Sequence, residues 1–383
     1  MMLEQIPNIR HLAAFAATVK HGSATRAATA VNLTQPALTQ AISRLEAKLG
    51  CQLFEREPNG MRPTDPALLL APRISEAIEK IGSNRVTATQ MRAFLALARS
   101  GSYAAAAERT GVAPASLHRA VSDLALSLEE RLVERRGRHL VLTRKGERRA
   151  RNLGLALAEI RSGFAEIDAW MGKAAGKIVI GAMPLSRARW LPQSILALEK
   201  KRTGVKIVVV EGSYNELSGP LRDGEVDFLL GALRQEESLD DLVQTAVFED
   251  RPKVIMRKSH PLSGERQLTN AQLCEFPWIL PGNETPLHRY WSDMLGQSRE
   301  SVEHGIECGS VLTIRELLLE TDLLTLLSPD QLRVEIEAGL LVASATPAPV
   351  KRMIGITTRR DWRPTALQAE MLSILNKVGI QIS

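Results

Sequence analysis

Residues 12–64 of this 383-residue chain realign on residues 91–143 at a constant offset of 79, without a gap. LAAFAATVKHGSATRAA at 12–28 falls on MRAFLALARSGSYAAAA at 91–107, and LTQAISRLEAKLGCQLFER at 38–56 falls on LHRAVSDLALSLEERLVER at 117–135. No other feature constrains the fold as much: whatever small unit the first segment builds, the chain builds twice in series. The length suits two or three domains rather than one core.

The first unit, residues 7–66, reads as three helices and a hairpin. Asn8 caps a helix whose Phe15, Ala16 and Val19 share a face. His21-Gly22-Ser23 is a stop and a new cap, with Gly22 at positive φ and Ser23 accepting the next helix's free N–H groups. Ala24 to Ala30 is a short helix of small residues, and Val31-Asn32-Leu33 a tight turn. Thr34 caps a third helix with Pro36 in its first turn, where the missing N–H has no intrahelical partner anyway. Leu38, Ile42, Leu45 and Leu49 form its buried stripe. The opposite face carries Gln35, Thr39, Gln40, Ser43 and Arg44, a polar surface nearly free of carboxylates that suits base edges in a major groove. Gly50 ends the helix; Leu53, Phe54, Arg56 and the turn Pro58-Asn59-Gly60 fit a wing whose Arg56 and Arg62 reach phosphates. This order is a helix-turn-helix with a wing. A three-helix bundle with an incidental polar face, used for protein contacts, fits the same pattern.

The string SATRAATAVNLTQPALTQAISRLEAKLGCQLFER resembles the DNA-binding domain of the LysR-type transcriptional regulators. The matching pieces are the Ala-Ala pair, the turn, Thr-Gln-Pro-Ala-Leu-Thr, Ile-x-x-Leu-Glu and Leu-Phe-x-Arg. The resemblance implies that Gln35, Pro36 and Thr39 sit at base edges and Arg56 at the backbone. Ser23, Thr34, Gln40, Ser43, Arg44 and Arg62 complete the candidate DNA contacts of this unit.

The second unit, residues 87–146, keeps the scaffold (Phe94, Gly101-Ser102, Ala106-Ala107, Leu117, Val121, Leu124, Leu128, Leu132) but not the reading edge. Thr34-Gln35-Pro36-Ala37 becomes Ala113-Pro114-Ala115-Ser116, Thr39 and Gln40 become His118 and Arg119, Arg44 becomes Asp123, and Glu46 becomes Ala125. Its wing is strongly basic, with Arg135, Arg136, Arg138, His139, Arg144 and Lys145, and Leu132 to Gly146 resembles the family's wing and exit. The first unit departs at that exit, where Thr64-Asp65-Pro66-Ala67 lacks the glycine found at Gly146. The first unit is therefore expected to read bases, and the second to bind phosphates and read one base through Arg119. The competing reading makes the second unit a packing relic with a solvated basic wing.

Residues 67–81 begin apolar and carry Pro72, so a helix there is expected to kink or restart. Residues 147–171 read as one long helix striped by Leu153, Leu157, Ile160, Phe164, Ile167 and Met171, which wants a partner helix. The resemblance makes this the linker and dimerisation helix, giving a homodimer or homotetramer; packing on its own chain is the alternative. Gly172 to Gly176 reads as a hinge.

In residues 176–383, strand–helix alternation (strands at 177–181, 205–210 and 226–231, the second fully buried; helices at 191–201 and 214–222) argues for a parallel sheet covered by helices. The chain is expected to enter a second lobe near 251–260, with strands near 278–280 and 323–327 and helices near 286–296, 311–320 and 329–338. A strand at 350–358 returns to the first lobe and a helix at 365–377 closes the chain. Gly224-Glu-Val-Asp-Phe-Leu-Leu-Gly231 and Ser259-His-Pro-Leu262 resemble the same family's effector-binding domain, which is similar to periplasmic binding proteins. Two lobes place a cleft at the C-terminal ends of strands. The expected lining is Met183, Ser186, Arg187, Gly231 and Ala232 from one lobe and Pro281, Thr285 and Ser310 from the other. The fold class is thus α+β and multidomain: two all-α winged helix-turn-helix domains, a long linker helix, and a two-lobed α/β effector domain.

Charge agrees with that division. Residues 1–175 hold 25 Lys/Arg against 16 Asp/Glu, and residues 176–383 hold 24 against 27. The basic front half wants a polyanion; the back half does not. Cys51, Cys274 and Cys308 are widely spaced, with no CxxC, so neither a zinc site nor a disulfide framework is expected. No apolar run approaches a membrane span, the first residues do not form a secretory signal, and the cytoplasm is the expected location. The seven histidines make no metal spacing, and GxSxG, GxxxxGK[ST] and GxGxxG are missing, so no enzyme, cofactor or metal is expected. His260 at a lobe crossover reads as structural. The expected function is sequence-specific promoter binding controlled by a small organic acid or sugar-derived effector. Double-stranded DNA and the effector are its partners, and RNA polymerase is a further partner that promoter binding admits. The alternatives are an architectural DNA-binding protein with a silent ligand domain, and an α/β solute-binding protein with helical appendages.

Overall fold

A computed structural model describes residues 7–57, 60–137, 139–173, 176–234, 240–297, 302 and 304–382. The chain divides into two compact units, residues 1–177 with 222–225, and residues 178–221 with 226–383.

The first unit contains α1 (Ile9–His21), α2 (Ala24–Ala30), α3 (Gln35–Leu49), β1 (Phe54–Glu57), β2 (Gly60–Pro63) and α4 (Asp65–Ile81). The same order follows as α5 (Ala88–Ser100), α6 (Tyr103–Thr110), α7 (Pro114–Leu128), β3 (Val133–Arg136), β4 (His139–Leu142) and α8 (Arg144–Trp170). The repeat holds at the level of single hydrogen bonds. Thr64 donates its N–H to the Leu53 carbonyl (3.0 Å) and its hydroxyl to Gln52 (2.8 Å). Thr143 donates to Leu132 (3.0 Å) and Arg131 (2.7 Å), the positions 79 further on. Both wings are antiparallel hairpins in matching register, Phe54 opposite Pro63 and Val133 opposite Leu142. One core runs through both copies, from Ile9 to Ile167.

The helix over 65–81 passes unbroken through Pro72. Pro72 lies on the exposed face and Leu68, whose carbonyl loses its N–H partner, is 55% exposed, so water satisfies that carbonyl and no restart is forced. The exit from the first wing keeps the two wing-side threonine bonds but not the cap, since Thr143 accepts the Gly146 N–H at 3.0 Å whereas Thr64 makes no side-chain bond to its helix. Gly146 is needed because a Cβ there would run into the Leu132 carbonyl, whereas Ala67 is buried with its methyl accommodated. Finally, the stripe of α8 packs on α4 of the same chain. The duplication supplies the partner helix that the stripe requires. Of the hinge expected at 172–176, residues 174 and 175 lie outside the described residues; Gly172 does take positive φ (67°).

The second unit has two lobes. The first is a five-stranded sheet ordered β6 (Lys206–Glu211), β5 (Lys177–Ala182), β7 (Phe228–Ala232), β14 (Arg352–Arg359) and β8 (Leu242–Asp250). It carries α9 (Pro184–Ala188), α10 (Trp190–Glu199), α11 (Tyr214–Arg222) and α16 (Ala366–Ile382). The sheet is mixed rather than parallel. β5 pairs parallel with β7, but β14 pairs antiparallel with both β7 and β8, because it returns directly from the other lobe without a crossover helix. The strand expected to be fully buried at 205–210 is an edge strand whose residues, Lys206 to Glu211, are all half-buried or exposed. Asp227 explains part of the Glu-Val-Asp-Phe string: its carboxylate accepts the Val179 N–H at 2.7 Å, tying the start of β7 to β5.

The second lobe holds β9 (Lys253–Arg257) between β12 (Thr325–Leu327) and β13 (Leu341–Ser344), with a parallel pair of β10 (Trp278–Leu280) and β11 (His304–Glu307). Its helices are α12 (Asn270–Cys274), α13 (Pro286–Leu295), α14 (Val311–Glu320) and α15 (Arg333–Glu337). The helix expected at 329–338 is instead a 3-10 turn at Pro329–Leu332 followed by α15.

His260 is buried in this lobe. Its Nδ1 accepts the Leu262 N–H (3.0 Å), so Nε2 carries the hydrogen toward the Asp322 carbonyl (3.2 Å), and the ring is neutral. Burial is the main cause that holds its pKa below the usual value, with Asp322 opposing and Arg257 assisting. Protonation therefore favours the unfolded chain, whose histidine titrates near 6.5. Stability contributed by neutral His260 is present above that pH and is lost as pH falls toward its lowered folded value. The thermal unfolding midpoint of this unit is expected to drop between pH 7.5 and 5, with a smaller drop in His260→Asn; equal slopes in both proteins would show that the ring contributes nothing to the pH dependence.

Candidate nucleic-acid interface and ligand cleft

The tip of α3 is built by its caps. The Thr34 hydroxyl accepts the Ala37 N–H at 3.4 Å, and Gly50 closes the helix at φ 75°, donating to the Glu46 carbonyl at 2.7 Å. The Glu46 carboxylate accepts the N–H groups of Leu53 (2.8 Å) and Phe54 (3.3 Å), which fixes where the wing leaves the helix. Leu38, Ile42, Leu45 and Leu49 are buried beneath. Thr34, Gln35, Pro36, Gln40, Ser43 and Arg44 are exposed on the other face. Thr39 is half-buried and its hydroxyl donates back to the Gln35 carbonyl (3.1 Å). Burial first, and then the charges of Arg44 and Lys48, hold the pKa of His11 below its ordinary value.

Ser23 does not cap α2 as expected; its hydroxyl makes no bond to the helix, whereas Ser102 caps α6 by accepting the Ala105 N–H at 3.2 Å. The Ser23 hydroxyl is thus left over at the surface edge of the first copy. On the first wing Arg56 is exposed, while Arg62 is held by Glu55 and by Glu57 (3.0 Å), so it meets a phosphate only by exchanging those partners.

In the second copy α7 begins at Ala113, which has no capping side chain. His118 and Arg119 are exposed, with the His118 ring 5.2 Å from that of Tyr103. On the wing Arg135 and Arg136 are exposed, Arg136 pairing with Glu134 (2.9 Å); Arg138 lies outside the described residues. The tie that Glu46 makes is lost at Ala125. Glu130 replaces it, bonding Arg149 at the start of α8 (2.7 Å), and that hydrogen bond holds the Glu130 carboxyl below its usual pKa.

The second unit contains a cavity of about 670 Å³ between its lobes. Of the expected lining it brings together Met183, Arg187, Ala232, Pro281 and Thr285. Ser186 is withdrawn: it is fully buried and its hydroxyl donates to the carbonyls of Met183 (2.8 Å) and Leu230 (3.1 Å), which fastens α9 to β7. Gly231 lies behind Met183, where a Cβ would collide with that side chain, and Ser310 is occupied capping α14 through the Thr313 N–H (3.4 Å). The Thr285 hydroxyl already donates to Gly282 (2.8 Å), and Arg187 pairs with Glu211.

The lining also includes Tyr214, Asn215, Arg234, Gln331 and Arg352, which sequence reasoning missed. Tyr214 and Asn215 follow the C-terminal end of β6, so the strand-end rule alone could have named them. Nothing local marks Arg352. It is 8% exposed, its Nε donates to Asp250 at 2.6 Å, and its Nη2 has no hydrogen-bond partner among the described residues. A buried guanidinium in the cavity lining with an unmatched N–H is suited to a carboxylate. The Arg234 guanidinium lies over the Tyr214 ring at 4.9 Å.

A helix-turn-helix surface in one unit and a two-lobed cleft in the other define a DNA-binding regulator with an effector-binding domain. Residues 172–378 match the LysR substrate binding domain, and residues 9–68 and 88–147 each match the bacterial regulatory helix-turn-helix protein of the lysR family. The chain belongs to the LysR family of transcriptional regulators and carries that family's effector-binding domain. It is 28% identical to the HTH-type transcriptional regulator GalR of Pseudomonas putida strain KT2440, over 98% of each chain, so the alignment spans both copies of the repeat. It is 30% identical to the SDS degradation transcriptional activation protein of a Pseudomonas species, over 66% of this chain and 82% of that one. Among solved structures, ArgP from Mycobacterium tuberculosis shares the fold at 17% identity and a TM-score of 0.56, covering 76% of this chain and 96% of that chain. The matched relatives are named as regulators of transcription, not as enzymes. Among the described residues no helix is long and apolar enough to cross a membrane.

Proposed function

We propose that this protein binds promoter DNA in the cytoplasm through α3 and the first wing, and that a small acidic effector in the cleft controls the binding. The observation that carries the first part is the exposed, carboxylate-free tip of α3, Gln35 to Arg44, held out by a buried leucine stripe. Gln35 and Gln40 offer amides for adenine, Thr39 a methyl for thymine, and Ser23 and Arg56 contacts to phosphate. The second copy is a divergent winged helix-turn-helix domain. The unbonded Nη2 of Arg352, a residue of the cavity lining, supports the effector's acidity. The two lobes supply the closing motion of periplasmic-binding-protein-like domains, and closure must bind the effector more tightly than the open state does.

Gln35→Ala is expected to reduce discrimination between a promoter fragment and random duplex by roughly 5- to 150-fold, the worth of one bidentate base contact of about 1–3 kcal/mol. Competition titrations at stated salt measure it. Equal weakening on both duplexes would remove Gln35 from base reading.

A further inference from the structure

We propose that one chain is a complete two-reader DNA-binding unit, an internal pseudo-dimer, and that its DNA site is therefore asymmetric. An A·T pair is read by the first copy and a G·C pair by the second. This rests on the reading of the helix-turn-helix copies as DNA-binding.

The geometry begins at the helix pair. α4 and α8 occupy equivalent places in the repeat and pack against each other in antiparallel sense. At one end Leu70 and Arg73 of α4 press on Gly163, where a Cβ would come within 2.8 Å of the Leu70 methyl. At the other end Arg149 of α8 lies over Gly82, where a Cβ would come within 2.7 Å of its guanidinium. Positions 70 and 149 are repeat equivalents, 79 apart. Each thus packs on the other helix at opposite ends of the pair. Between them Ala77 and Ala156, again equivalents, are both fully buried. Reciprocal contact of equivalent positions is the mark of an isologous, two-fold interface, here closed within one chain.

The copies are fixed to this pair by like joints. α1 packs on α4 and α5 on α8, and each wing enters its long helix through the same threonine bonds. Arg73, 5% exposed, locks the pair by bonding Glu159 (3.0 Å) and Glu166 (2.6 Å). Both reader faces remain open, Gln35-Pro36 on α3 and Ser116, His118 and Arg119 on α7. Two-fold readers fit a duplex whose backbone has two-fold symmetry, with centres one helical turn apart. The scaffold is symmetric but the tips are not. A glutamine amide pairs with adenine and an arginine fork with guanine, so the two halves of the site cannot be inverted copies.

The test uses full-length protein and duplexes it selects from a random-sequence pool. Binding is measured for every single base-pair change, with the number of bound chains counted by native mass spectrometry. Two sensitive clusters per chain are expected, about 10 base pairs apart. Changing the A·T pair of the first should weaken wild type roughly 5- to 150-fold and leave Gln35→Ala indifferent; the G·C pair of the second should behave so toward Arg119→Ala. One cluster per chain, unaffected by Arg119→Ala, overturns the proposal while leaving the first copy a reader. Two inverted clusters that both respond to Gln35→Ala also overturn it, because two chains would then share the site. Failure to select any sequence would instead remove the DNA-reading assignment beneath it.

Discussion

Arg73→Ala is expected to destabilise the first unit by about 3–5 kcal/mol, the loss seen when one partner of a buried ion pair is removed. The side chain is 5% exposed, and its partners Glu159 and Glu166 are 10% and 16% exposed. Truncation removes the guanidinium that both carboxylates of α8 share in this buried seam. Burial opposes the charge on Arg73, but the hydrogen bonds it donates to Glu166 and Glu159, with their charges, outweigh it and raise its pKa. Arg73→Met with Glu159→Gln and Glu166→Gln keeps the volume and removes the stranded charge, so it should recover most of the loss. Denaturant unfolding followed by a first-unit signal measures both. A loss under 1 kcal/mol in Arg73→Ala would mean that water reaches the seam and that the pair does not lock the copies together.

The second large effect concerns the cleft. Arg352→Gln alone would strand the Asp250 carboxylate, whose side chain is 6% exposed, so the clean variant is Arg352→Gln with Asp250→Asn, which trades an ion pair for an amide pair. Small carboxylates are expected to raise the unfolding midpoint of wild type and not of the double variant. Losing a buried, hydrogen-bonded charge partner costs about 2–5 kcal/mol of binding, which removes nearly all the affinity of a small ligand. A panel of carboxylic acids and their neutral amides, scanned by thermal shift, reads this out. Equal stabilisation by an acid and its amide, or an undiminished response in the double variant, would show that Arg352 does not anchor the effector.

What could be read from residues alone was whatever depends on near neighbours. The caps at Asn8 and Thr34, the positive-φ stops at Gly22 and Gly50 and the leucine stripe of α3 follow from bonds and periods spanning a few residues. The exposed polar face of α3 was legible for the same reason: one side of a helix is set by its own spacing. The cleft was legible in outline, because ligands collect at strand ends, but not in its lining. Ser186 and Ser310 looked like ligand hydroxyls until the fold gave them carbonyl and N–H partners. Arg352 carries no local sign of its role, since Asp250 lies 102 residues away.

The repeat itself, and with it the twofold recurrence of one order of helices and hairpin, was determined by the sequence, because duplication copies every short-range instruction at once. Only the tertiary structure decided what the copies do to each other: that α8 spends its stripe on α4, that Arg73 reaches Glu159 and Glu166, and that Arg62 is already claimed by Glu55 and Glu57. The reason is the range of the forces. Hydrogen-bond periodicity acts over three or four residues, whereas the choice of partner for an apolar face or a buried charge is made between segments distant in the chain, after the local elements already exist.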